Sequence, residues 1–93
     1  MSNYTLSAEK ELLFEAMVNK FLENDELNEV DFTGSGINFY TLGSVLEKIG
    51  YVKTEQDSNG WQMDLEIIYE KDNFPTLIIR GSALIFEISL VKE

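Results

Sequence analysis

The chain of 93 residues carries seventeen acidic side chains against seven basic ones, a formal charge of -10. It contains no histidine and no cysteine, which excludes disulfides, thiolate metal sites, cysteine nucleophiles and every mechanism built on imidazole. With 44% hydrophobic residues, one Trp, four Tyr and six Phe, it is too apolar for a disordered acidic tail, and its length allows one domain with one core.

A field of this sign repels nucleic-acid phosphates and anionic lipid headgroups and speeds encounter with a basic groove. The expected partner is therefore a protein with a basic surface, with no direct contact to nucleic acid or membrane. Met1 to Ser7 holds no basic stretch followed by an apolar run, and no segment approaches the ~20 apolar residues of a membrane span, so the expected location is cytoplasmic.

The first element in chain order is a helix over residues 7–24. Ser7 suits its N-cap, and Glu9 and Glu11 lie near the positive end of its dipole. Leu13, Phe14, Met17, Val18 and Phe21 form the expected apolar stripe, with Glu11, Glu15, Asn19 and Glu23 as a solvated row opposite. Residues 25–40 read as a linker. It is acidic at first, since Glu23 to Asp31 runs ENDELNEVD without a cation, and Gly/Ser-containing after that. Phe32, Ile37, Phe39 and Tyr40, further along, are expected to close the end of the core.

A second helix over 41–50 is predicted with Thr41 as N-cap and Gly50 as its stop. Leu42, Val45, Leu46 and Ile49 fall on one face, and Gly43 sits in the interior at a cost of ~1 kcal/mol. From Tyr51 the apolar period shortens to that of strands. Turns are expected at Asn59-Gly60, at Lys71-Asp72-Asn73 with asparagine left-handed, and at Gly81-Ser82, giving four strands over 51–91. In that register Trp61, Met63, Leu65, Ile67, Leu77, Ile79, Leu84, Phe86, Ile88 and Leu90 share the inner face with Val52 and Thr54. Lys53 meets Glu66 and Arg80 meets Asp64 on the outer face. The expected fold is α+β, two N-terminal helices on one face of a four-stranded antiparallel meander, in the order ααββββ.

Chemical motifs are few. Gly34-Ser35-Gly36 lacks the preceding strand and third glycine of a dinucleotide loop and the lysine of a P-loop, and follows carboxylates that repel phosphate; a connector explains it. The acidic run does not fit a calcium loop: counted from Asp25, Val30 stands where glycine is needed and Gly36 where a bidentate glutamate is needed. Asp57-Ser58-Asn59-Gly60 fails likewise, with Ile68 at the twelfth position. No metal, cofactor or catalytic residue is expected; among seventeen carboxylates some pair always looks suited to acid and base work, and so short a chain offers little room for a substrate cleft.

Two functional readings follow. In the first, the chain is an inhibitor that occupies the basic, nucleic-acid-binding site of a partner protein as a nucleic-acid mimic. Anti-defence proteins, anti-CRISPR proteins among them, and immunity proteins are often of this kind, a likeness of class alone. Glu11, Glu15, Glu23, Asp25, Glu26, Glu29 and Asp31 would carry that contact. In the second, it is a non-catalytic structural domain forming a homodimer through its last strand, Ala83 to Val91, read as a sheet edge, and through an apolar outer patch of Ile78 and Ile85.

Overall fold

The computed structural model describes residues 8–59, 64–82 and 87–93. The order of elements is α1 (Ala8–Glu23), β1 (Glu29–Asp31), α2 (Phe39–Lys48), β2 (Val52–Asn59), β3 (Asp64–Glu70), β4 (Leu77–Ser82) and β5 (Glu87–Lys92). The class is α+β as expected, but the antiparallel sheet has five strands, in the order β1-β5-β4-β3-β2. The additional strand comes from the acidic run read as linker. Glu29, Val30 and Asp31 pair with Val91, Leu90 and Ser89, and Lys92 N–H to the Asn28 carbonyl (2.8 Å) and Phe32 N–H to the Ile88 carbonyl (2.9 Å) extend the ladder at both ends. The last strand is consequently not an edge: β5 is paired on both sides, and β1 and β2 are the edges.

Both helices cover one face. Phe14, Val18 and Phe21 of α1 and Leu42, Val45 and Leu46 of α2 form a single core cluster with Ile67, Tyr69, Leu77, Ile79, Ile88 and Leu90 of the sheet. The sequence places Ile67, Leu77, Ile79, Ile88 and Leu90 on the inner face; Tyr69 joins them, while Leu65, also expected there, is only half-buried and outside the cluster. Phe32 and Ile37 close the end of this core, Phe32 meeting Phe14 edge to face at 5.8 Å, whereas Tyr40 is exposed. Trp61, Met63, Leu84, Phe86 and the N-cap Ser7 lie outside the described residues.

The pairings differ from the expected ones because the connections are longer. Asn59 pairs with Asp64, so four residues, 60–63, separate them where a two-residue turn was expected. Residues 71–76 form a six-residue connection, fixed by Lys71 Nζ donating to the Ile49 carbonyl (2.6 Å) and by the Tyr51 hydroxyl donating to the Pro75 carbonyl (2.8 Å); Asn73 is left-handed there (φ 68°), as its position implied. Gly81 and Ser82 continue β4, opposite Ile88 and Glu87, so they do not turn. Outside the start of β2, each shift is an even number of residues, which moves partners along the strands without exchanging faces. Arg80 accordingly pairs with Glu66 (Nε to Oε2, 3.2 Å) and not Asp64, and Lys53 lies opposite Tyr69 and donates to Gln56 instead of meeting Glu66. A bulge between Lys53 and Glu55 reverses parity at the start of β2, which leaves Val52 and Thr54 exposed and out of the core.

The second helix begins earlier than expected. Asn38 is its N-cap, accepting from Thr41 N–H (2.8 Å), while Thr41 Oγ1 accepts from Asn38 N–H (3.0 Å); Thr41 is thus the third helical residue of a reciprocal capping box, not the cap itself. At the other end Gly50, at φ 102°, turns the chain so that Gly50 N–H reaches the Glu47 carbonyl and Tyr51 N–H the Leu46 carbonyl, a Schellman closure.

Gly43 is buried where α2 crosses the sheet, and a methyl group there would run into the Tyr69 hydroxyl. The helix tolerates glycine because its neighbour needs the space. Replacing Gly43 with alanine should therefore destabilise the fold by ~1–3 kcal/mol in urea unfolding although alanine is the better helix former. Adding Tyr69→Phe to that variant should restore part of the loss; a Gly43→Ala protein more stable than the parent would contradict this packing.

Candidate functional site

The acidic run leaves α1 through a compact turn. Asn24 organises it: its side-chain oxygen accepts from Glu26 N–H (3.0 Å), and its carbonyl accepts from Leu27 N–H (3.1 Å) and from Lys92 Nζ (2.8 Å). The Lys92 ammonium also lies 4.5 Å from the centre of the Phe21 ring, so one side chain of β5 ties the end of α1 to the sheet. Beyond β1, Asp31 accepts from Thr33 N–H (2.8 Å), and Thr33 Oγ1 accepts from Ile88 N–H (3.2 Å). The Thr33 contacts hold the Asp31 carboxyl below the ordinary aspartate value, with the side-chain hydrogen bond as the larger cause and the backbone one next.

Between the end of α1 and β1 these constraints leave an open groove of about 970 Å³. Met17, Phe21, Leu27 and Val30 supply its apolar lining; Glu23, Asp25, Glu26, Glu29 and Asp31 supply five carboxylates, against Lys20 as the one basic residue among those lining it. Five of the seven acidic residues singled out from the sequence are thus brought together. The other two are not: Glu11 is largely covered and pairs with Lys48 of α2 (2.8 Å), and Glu15 is half-buried on that side of α1. The Glu11 hydrogen bond, with smaller contributions from the Glu11 and Glu15 charges, holds the Lys48 ammonium above the usual lysine range. The row expected to be solvated is therefore partly turned toward α2.

This rotation of α1 has a second effect. Leu13 and Met17, placed in the core by their spacing, are 58% and 37% exposed, and Leu27 is 45% exposed. Neither Met17 nor Leu27 was recognisable as a surface residue from spacing alone. Val30 carried a short signal, an apolar residue between Glu29 and Asp31, the alternation of a strand.

On the opposite sheet face, Glu29, Val91, Ile78, Ile68 and Glu55 form one cross-strand row, and Asp31, Ser89, Arg80, Glu66 and Asp57 the next. Ile78 is only 8% exposed, so it offers little contact surface; Ile85, the other half of the expected apolar patch, lies outside the described residues. A smaller hollow of about 480 Å³ at the far end of the sheet includes Asp57, Asp64, Glu66, Arg80 and Glu87.

Lys92 is engaged at the edge of the groove, through the Asn24 carbonyl and the Phe21 ring, and several other basic residues are engaged away from it. Lys48 and Arg80 pair with Glu11 and Glu66, Lys71 and Lys92 donate to backbone carbonyls, and Lys53 donates to Gln56. Among the described residues, no three or more carboxylates converge as a metal cage, and no helix is long and apolar enough to cross a membrane. No protein-family model matches the chain, and neither a curated protein nor a solved structure matches it.

Because the Asp31 carboxyl is lowered in the folded state, its contribution to stability is present above the ordinary aspartate value and is lost as pH falls through the lowered one. Carboxyl-detected NMR titration should find Asp31 among the most acidic aspartates of the chain, and Thr33→Val should raise its midpoint toward the ordinary value. An unchanged midpoint in that variant would remove Thr33 as the cause.

Proposed function

We propose that this chain is a small acidic protein-binding module that occupies a basic, nucleic-acid-binding site on a partner protein, as inhibitors of the anti-defence and immunity type do. The observation that carries the reading is the gathering of Glu23, Asp25, Glu26, Glu29 and Asp31 around one groove in which, among the described residues, Lys20 is the one basic lining residue, with the Lys92 ammonium bonded to the Asn24 carbonyl at its edge. Charges spread for solubility alone would have no reason to converge there. They are also held on a helix end, a tight turn and a strand, so little side-chain and backbone freedom remains to be lost on binding.

The groove suits electrostatic recognition backed by contact. At long range the carboxylates steer a basic surface inward, and at short range Met17, Leu27 and Val30 offer apolar surface for burial. No reaction is part of this reading, and no cofactor is required. The competing reading, a homodimer through the last strand and the outer sheet face, draws less support, since β5 is bonded to a neighbour on each side and Ile78 is covered.

The test compares two triple variants of equal charge change. Glu23→Gln/Glu26→Gln/Glu29→Gln should abolish capture of the partner and the chain's ability to compete with DNA or RNA for it. Glu55→Gln/Asp57→Asn/Glu70→Gln, on β2 and β3, should leave both nearly intact. Association with the parent chain should slow by on the order of tenfold or more as salt rises from 50 mM to 500 mM. Equal loss from both variants would show that net charge, and not this groove, governs binding.

A further inference from the structure

We infer that β1 is a docking edge for an extended segment of the partner protein, a strand in which apolar and basic residues alternate. This rests on the reading of the groove as a partner-binding site and adds how the partner enters it. The register supplies the backbone half of the argument. Lys92 N–H bonds to the Asn28 carbonyl and Phe32 N–H to the Ile88 carbonyl, so the even-numbered residues of this segment face β5. In an antiparallel ladder the alternate residues point their N–H and C=O groups the other way. The backbone groups of Glu29 and Asp31 therefore face the open side of the sheet, and among the described residues no strand lies beyond them. At three residues, β1 is also the shortest strand of the sheet, and it stands at its edge.

Side chains supply the other half. A strand laid along β1 would project every second residue toward the helix-covered face, where Met17, Leu27 and Val30 line the groove and Leu13 lies one turn further along α1, exposed. Those positions call for apolar residues. The intervening residues would fall beside Glu29 and Asp31, which pair with Val91 and Ser89 on the outer face of the sheet, and there basic side chains complement the charge. A second copy of this chain fits poorly, because pairing β1 with β1 would set Glu29 and Asp31 against their own kind.

The test uses two synthetic peptides of identical lysine and leucine content with the full-length chain, one alternating strictly and one ordered at helical spacing. On saturation with the alternating peptide, amide hydrogen exchange at Glu29 and Asp31 should slow by at least about tenfold, while Val30, already turned toward Leu90, changes little. Glu29→Pro, which removes an outward N–H at an edge position that tolerates proline, should weaken the alternating peptide well beyond the charge-matched Glu29→Gln. Tighter binding of the helical peptide, binding without protection of those two amides, binding by neither peptide, or protection caused by dimerisation of the chain alone would each overturn strand docking. If the groove triple variant still abolishes partner capture in any of those cases, the acidic-module reading stands and only the strand mode falls.

Discussion

The ladder between Glu29–Asp31 and Ser89–Val91 converts a run of carboxylates from a tether into part of the sheet. Without it, ENDELNEVD would be a solvated, self-repelling segment with many accessible shapes and a high entropic cost of ordering. With it, the run is fixed at both ends: Asn24 and Lys92 hold the exit from α1, and Asp31, Thr33 and Ile88 hold the far side. The groove, its acidic rim and the open backbone edge all follow from those few hydrogen bonds.

Carboxylates confined together repel one another, and this chain does little to offset that locally. Two ion pairs among the described residues form elsewhere, one between the helices and one on the outer sheet face. Two further lysines act through their stems and hydrogen bonds, each lying on a phenylalanine ring while donating to a carbonyl. Such contacts fasten loops to the core; Lys92 brings its charge to the groove edge, yet five carboxylates against Lys20 and Lys92 still leave a negative field there, which is what an electrostatic binding surface needs. Repulsion at the groove is tolerated because the core beneath it is closed, with Val18, Leu42, Val45, Leu46, Leu77, Ile79 and Leu90 fully buried.

The apolar residues of α1 show how a helix can serve two surfaces. Phe14, Val18 and Phe21 pack inward, while Leu12, Leu13 and Met17 remain open, so the apolar arc of α1 is wider than the core can cover. An uncovered arc beside an acidic rim combines area for burial with charge for selectivity, and protein interfaces commonly divide these roles between centre and edge.

The sequence by itself determined the α+β class, both helices, the Gly50 stop, the left-handed Asn73 and the inward face of β3, β4 and β5. These depend on local periodicity and turn chemistry, which act over a few neighbours. Tertiary structure alone decided the rest. The fifth strand exists because residues about sixty positions apart hydrogen-bond, a pairing no local pattern encodes. The rotation of α1 was set by what the core had room for, which exposed Leu13 and Met17 and turned Glu11 toward Lys48. The register between β3 and β4 moved because Lys71 and Tyr51 anchor a longer loop than the turn residues required. The sequence already placed five carboxylates within Glu23 to Asp31; only long-range packing could fix that run as the rim of one groove.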